Sequence, residues 1–305
     1  MNAEAILKLA RGIASIPNSG VSGSTDTDLL RLLNEYLVGV VVPAISEIQE
    51  GYFSRAVRIA CSGSTSRYRI HPRAMFQKLR TLRYVNASGE LSGPLQWIEE
   101  GDVDEFLFST TETSEEPSLF WIEGAYILTS PRPTTGFLEQ VILFRPGELI
   151  LSREARRVLS VQGGVVSLTT AIPRTWTDGT LFDFHSPHSG AEIKAFSRPA
   201  INAVGATLEF DDPFDGALPG EIPVEVGDWV TLEETVAVPP IPVEFQPLLA
   251  HSLAACWTES VDIEAHQVHS TRANEQLRLA LQRIKPRVEE KTKKIKPKPF
   301  LRMQG

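Results

Sequence analysis

Helical periodicity occurs at both ends of this chain and not in its middle, and that ordering limits the fold more than any other feature. From Asp28 to Glu50 the apolar residues Leu29, Leu33, Tyr36, Leu37, Val40, Val41, Ile45 and Ile48 recur at steps of three and four. That spacing predicts one long amphipathic helix, kinked where Pro43 removes a ladder donor and crowds the preceding turn. Ahead of it, Met1 to Ile16 reads as a short amphipathic helix with Lys8 and Arg11 among apolar residues, without the apolar core of a signal peptide. A turn-rich linker, Ile16 to Ser24, follows, and Thr25 or Asp26 offers an oxygen to cap the next helix. Near the other end, Leu248, Leu249, Leu253, Cys256 and Trp257 form a face, and Leu277, Ala280, Leu281 and Ile284 form a second. Together they predict a helical hairpin broken near His266.

Between the ends the texture changes. Phe53 to Cys61 turns from helical pattern toward strand, and His71-Pro72 reads as the start of a short helix carrying Ala74, Met75, Leu79 and Leu82 on one face. From Tyr84 onward, short β-branched and aromatic segments alternate with Gly, Pro, Asn and Asp turns, as in Phe120-Trp121-Ile122, Val141 to Phe144 and Trp229 to Leu232. Ser152 to Val158 reads as a brief helical interruption. The expected fold is α+β: terminal helices packed as a small helical domain, with a large antiparallel β-domain inserted and an extended C-terminal arm. The expected divisions are 1–85 for the first part of the helical domain, 86–236 for the β-domain, 237–284 for the hairpin that completes the helices, and 285–305 for the arm. A chain of 305 residues has the length for two domains.

Charge is segregated along the same lines. The whole chain carries −8, and Lys285 to Arg302, with eight Lys/Arg against two Glu, carries +6, leaving −14 for the remainder. Pro286, Pro297 and Pro299 block a helix there, and Phe300 and Leu301 give the arm an apolar tip. Such a segment is either ordered by lying on another surface or an ordinary disordered tail. A pI near 5.4 argues against nucleic-acid binding by the folded body. Two cysteines, Cys61 and Cys256, without CxxC spacing, make neither a disulfide framework nor a metal site and fit a reducing compartment at synthesis. No window reads as approaching the roughly 20 apolar residues of a membrane span.

The chemistry-bearing residues form no catalytic constellation, and no cofactor is expected. Asp183, His185 and His188 would make a weak metal site with Pro187 between the histidines, and a polar loop is the better reading. His266 and His269 beside Asp262 and Glu264 read as a solvated helix face. No GxxxxGK, GxGxxG or GxSxG run occurs, and the acidic run Glu112 to Glu116 lacks EF-hand spacing. Trp97, Trp121, Trp176, Trp229 and Trp257 are scattered, as core residues are.

An ordered set of segments carries a resemblance. It runs from Asp26 to Leu37 through Val42-Pro43 to Glu50-Gly51-Tyr52-Phe53, then Tyr68-Arg69-Ile70-His71-Pro72-Arg73-Ala74 into Lys78-Leu79-Arg80. It continues with Phe120 to Gly124, Phe144-Arg145-Pro146, Gly227-Asp228-Trp229-Val230, Ile241 to Glu244 and Pro247 to Ala250, and closes on Pro286 to Glu289 and Phe300-Leu301-Arg302. Across nearly its whole length the chain resembles the larger head-to-tail adaptor (neck, or connector) proteins of tailed bacteriophages. It departs from them in Trp121, where tyrosine is usual, and in a lysine-rich tail with Pro297 and Pro299.

The resemblance implies a non-enzymatic virion protein, made in the host bacterial cytoplasm, that forms a ring of most often twelve subunits under the portal. Its partners would be the portal protein, a tail-side neck or nozzle protein, copies of itself, and genomic DNA passing non-specifically through the channel, with no membrane involved. The arm would dock on the portal through Arg287, Lys291, Lys293, Lys294, Lys296, Lys298 and Arg302 against acidic groups, with Phe300 and Leu301 in an apolar pocket. Leu29, Leu33, Leu37, Val41, Leu249 and Leu253 would pack the helical domain of the ring. The alternative class is a carbohydrate-binding or glycan-processing protein using the β-domain, where Asp211, Asp212 and Asp215 cluster. A third reading makes the basic tail a nucleic-acid arm, although it lacks interleaved aromatics.

Overall fold

The computed structural model describes residues 1–16, 25–49, 51–63, 65, 67–99, 101, 116–216, 221–259 and 261–284. The fold is α+β, with helices from the two ends of the chain packed together and mostly antiparallel sheets between them. Helix α1 (Ala3–Ala14) starts at Asn2, whose side chain accepts from the Ala5 N–H at 3.1 Å, and buries Ala3, Ile6, Leu7 and Ala10. Helix α2 (Asp26–Tyr36) starts with a capping box: Asp28 N–H donates to the Thr25 hydroxyl, and the Thr25 N–H donates back to the Asp28 carboxylate.

The irregularity in the long helix falls just before Pro43. A π-helical turn, Leu37–Val41, lies between α2 and α3 (Val42–Ile48), and the Val42 N–H reaches the Leu37 carbonyl. Pro43 then falls in the first turn of α3, where a missing N–H costs little. Opening the preceding turn by one residue gives the ring room that a regular α-turn would deny it. The helix Asp26–Ile48 is, by length and composition, long and apolar enough to cross a membrane, which corrects the sequence expectation. Its Leu29, Leu33, Leu37, Val41, Val42 and Ile45 side chains are nevertheless fully buried on other parts of the chain, the pattern of a core helix.

Strands begin earlier than expected. In chain order they are β1 (Ser54–Ala60), β2 (Arg67–Arg69), β3 (Ala74–Val85), β4 (Leu91–Pro94), β5 (Gln96–Trp97), β6 (Leu119–Glu123), β7 (Tyr126–Ser130), β8 (Phe137–Phe144) and β9 (Glu148–Leu149). After a 3₁₀ turn at Ser152–Glu154 come β10 (Arg156–Gln162), β11 (Val165–Leu168), β12 (Leu181–His185), β13 (Ile193–Pro199), β14 (Asn202–Val204), β15 (Thr207–Glu209), β16 (Trp229–Leu232) and β17 (Thr235–Val236). The helix expected from His71 is therefore strand β3, and the sheet region opens at Ser54 instead of near residue 86. The physical reason is a bulge. Ala74 pairs with Phe144 and Leu79 with Ile142, so β3 spends five steps where β8 spends two. The surplus residues break the alternation of a strand and leave Met75, Leu79 and Leu82 at helix-like spacing.

Two sheets, ordered β1-β8-β3-β4 and β2-β7-β6-β5, enclose an apolar cluster that includes Tyr68, Leu82, Tyr84, Ile127, Leu138 and Ile142. A seven-stranded sheet, β13-β12-β16-β10-β11-β15-β14, surrounds a second cluster rich in edge-to-face aromatic pairs, with Phe184 and Phe210 centroids at 5.6 Å and Phe210 and Phe214 at 4.9 Å. A parallel pair, β9 and β17, lies next to the helices.

The chain closes its helical body with α4 (Gln246–Thr258) and α5 (Ile263–Ile284), which are separated by turn residues that include Glu259 and Val261, not near His266. Helix α1 packs on α4, α2 on α4, and α5 on both α4 and α3. Their shared core also takes in Met75, Leu149, Leu151 and Val236 from the inserted sheets. Side chains tie this seam: the Asn34 amide donates to the Leu149 carbonyl and accepts from its N–H, both at 2.9 Å. Asn34 thereby gives β9 a second edge partner where no strand is present among the described residues. At the start of the chain, Glu4 accepts from the Ser152 hydroxyl at 2.7 Å, and the Met1 ammonium meets the Gln246 side chain.

Candidate functional site

The six residues expected to pack the helical domain, Leu29, Leu33, Leu37, Val41, Leu249 and Leu253, come together in one core and are at most 1% exposed. They lie inside a single chain, so any contact between copies must use other residues. The arm residues Arg287, Lys291, Lys293, Lys294, Lys296, Lys298, Phe300, Leu301 and Arg302 lie outside the described residues.

The element that leads into them is α5. Of its 22 residues only His269, Ala273 and Ala280 are buried, which makes one narrow seam against α4 and α3. The other side of the helix is open to solvent and mixes charge (Glu264, Arg272, Glu275, Arg278, Arg283) with exposed apolar residues. Ile263 is 72% exposed, Val268 50% and Leu279 40%. A helix of this length held by so few buried side chains presents a face suited to a partner.

The other candidates are absorbed by the fold. His185 is no loop residue: it sits in β12, fully buried, with Nε2 accepting from the Ala237 N–H at 3.1 Å and Nδ1 donating to the Ser186 carbonyl at 3.3 Å. Burial pushes its pKa down to about 4, so it is neutral. His266 and His269 are not simply solvated either. The His266 ring bonds the Ala255 carbonyl at 2.9 Å, and His269 is buried at the α4–α5 seam. Among the described residues no group of three or more His, Cys, Asp or Glu is placed to hold a metal ion.

In the seven-stranded body, β13 places Lys194 and Arg198 on one side, almost buried, against the following acidic loop. Lys194 reaches Glu225 at 2.7 Å and Asp228 at 3.0 Å, while Arg198 reaches Asp212 at 3.4 Å and Glu221 at 3.8 Å. Desolvation raises the Glu221 pKa to about 7 in spite of Arg198. These carboxylates fasten a loop to a sheet. Trp121, Trp176 and Trp229 are buried as expected of core residues, whereas Trp97 is 55% exposed at the mouth between two sheets.

Sequence reasoning missed Phe76, the most exposed aromatic side chain described, at 72%. It stands on the β3 bulge beside Gln77, and both residues have positive φ, 56° and 53°. Its only sequence signal was a break in strand alternation, which reads equally well as a helix. No protein-family model and no curated protein sequence matches the chain.

Proposed function

We propose that this chain is a structural adaptor of a tailed-phage neck, forming a ring under the portal, joining capsid to tail and letting DNA pass. The observation that carries the reading is the course of the chain. Both ends build one helical body, and its last helix, with one side open, leads directly into the basic, proline-containing segment 285–305. An arm attached to a rigid helix adds contact area at modest local affinity, and a ring multiplies that contact through avidity. The net charge of −14 outside the arm suits a channel through which DNA slides without sticking. In this reading the arm engages the portal, the inserted sheets face collar or tail proteins, and the virion neck is where the protein resides.

The test is negative-stain imaging of the chain mixed with the portal protein of the same genome. A ring stacked on the portal, lost on deleting 285–305 from a chain that still melts normally, supports the reading. Absence of any association by the intact, folded chain rejects it.

A further inference from the structure

Two surface clefts flank the long helix Asp26–Ile48, and their charges are inverted relative to each other. The first, about 400 Å³, lies between α3 and β3 and carries Phe76, Lys78 and Arg80, with Glu47 on its helical wall. The second, about 490 Å³, lies between α2 and the β9 segment, with Leu30, Val38, Leu149 and Ile150 among its lining residues. It carries Glu35 and Glu148, with Arg31 on its helical wall. Two cations and one anion therefore stand on the first surface, and two anions and one cation on the second.

Phe76 marks the first surface as more than an accidental groove. A non-glycine residue in the left-handed region costs about 1–2 kcal/mol, and two in succession hold a large aromatic ring out in water. Neither strain nor exposure benefits the isolated chain. An aromatic anchor entering an apolar cleft on a neighbour would end the exposure and offset the strain. The second cleft supplies the apolar lining, with Glu148 and Glu35, which lies 3.3 Å from Arg31, as its acidic groups.

We propose that copies of this chain join head to tail, with Phe76, Lys78 and Arg80 of one copy seated in the cleft formed by Leu30, Val38 and Ile150 of the next, between its Glu35 and Glu148. Because the two surfaces differ, the contact is heterologous and generates rings when the rotation closes. The inference deepens the ring reading above and rests on it only in supposing that copies adjoin.

The experiment keeps the anchor and its pocket intact: it mixes two single-cysteine chains, Q77C beside the anchor and T27C at the cleft rim, each in a background with Cys61→Ser and Cys256→Ser, and treats them with a short bismaleimide. The contact predicts a product from the mixture at least about tenfold above either chain alone, because a head-to-tail contact never apposes two copies of one site. A mixture that gives no more than an L159C control overturns it. Charge reversal in the native-cysteine chain gives a second measurement, since serine replacement could disturb folding. Lys78→Glu and Glu148→Lys should each weaken assembly about tenfold or more, and the double variant should recover it. Assembly that is indifferent to both, or a double variant no better than the singles, overturns the contact. Phe76→Gly, which relieves the backbone strain, should lose assembly without lowering the melting temperature.

The same chains are tested on the portal, which separates the two readings. Portal seating without the Q77C–T27C product removes this contact and leaves the adaptor standing. The product without portal seating removes the adaptor and leaves the contact.

Discussion

Arg73 and Asp183, 110 positions apart in the chain, meet at 2.6 Å with side chains 2% and 0% exposed. The Asp183 carboxylate also accepts from the Ser197 N–H at 2.9 Å and the Glu234 N–H at 3.0 Å, two residues with positive φ. The Arg73 guanidinium lies over the Phe144 ring at 4.3 Å. One carboxylate thus fastens the chain just before β3 to β12 and holds two positive-φ positions, one within β13 and one just before β17, in place. Desolvation raises the Asp183 pKa, with Arg73 acting in the opposite direction.

Breaking this pair from one side should be expensive. Arg73→Met leaves a buried carboxylate without its counter-charge and should cost about 3–5 kcal/mol in urea unfolding. Adding Asp183→Asn, which removes the buried charge and keeps an acceptor for one of the Ser197 and Glu234 N–H groups, should recover part of that loss. If the double variant is no more stable than Arg73→Met alone, the penalty does not come from the uncompensated charge.

His185 sets an acid limit on stability. Its folded pKa, near 4, lies below the ordinary histidine value of 6.5, so its contribution is fully present above pH 6.5 and is lost as pH falls toward 4. The full loss is on the order of 3 kcal/mol. His185→Gln should flatten the pH dependence of unfolding between 6.5 and 4 relative to wild type. An equal slope in both chains would show that the histidine does not titrate with unfolding.

Leu33 lies fully buried among α1, α2 and α4 residues. Leu33→Ala should cost about 2–5 kcal/mol, the range for a leucine truncated in a packed core. Leu33→Asp should prevent stable folding of the helical body, because it buries a charge with no partner. A melting temperature for Leu33→Asp equal to that of wild type would refute the assignment of this helix face.

Excision of residues 86–236 with a short linker should fail to give a folded chain. It removes β8, to which both β1 and β3 are paired, as well as Leu149, Leu151 and Val236 from the helical core. A cooperative thermal transition from the excised chain would mean that the helical body closes without them.

Much of this architecture was legible in local patterns. The cap at Thr25 or Asp26, the apolar face of Leu29, Leu33, Leu37 and Val41, and the turn-punctuated strands each announce themselves over a few residues. What escaped depends on partners far away in the chain. Strand β3 is a strand because β8 lies beside it, and its bulge disguised the period. The Asn34 amide holds Leu149 across 115 positions, and nothing in the sequence around Asn34 marks it as an edge cap. Burial of His185 follows from the antiparallel pairing of β12 with β16, with His185 opposite Trp229, so the loop-like Ser-Pro-His-Ser-Gly that follows it misled. The arm residues that the resemblance makes central lie outside the described residues, and their role rests on the proposal alone.

The return of the chain to its starting body also decides how the molecule would carry a load. A pull applied between Ala3 and Ile284 is borne first by the contacts of α1 with α4 and of α4 with α5. The sheets hang from that line as a loop and lie outside it. Traction on the C-terminal helix would be resisted by sliding of packed helices, leaving strand pairing at rest, so the inserted bodies could hold their shape while the helical body is under tension.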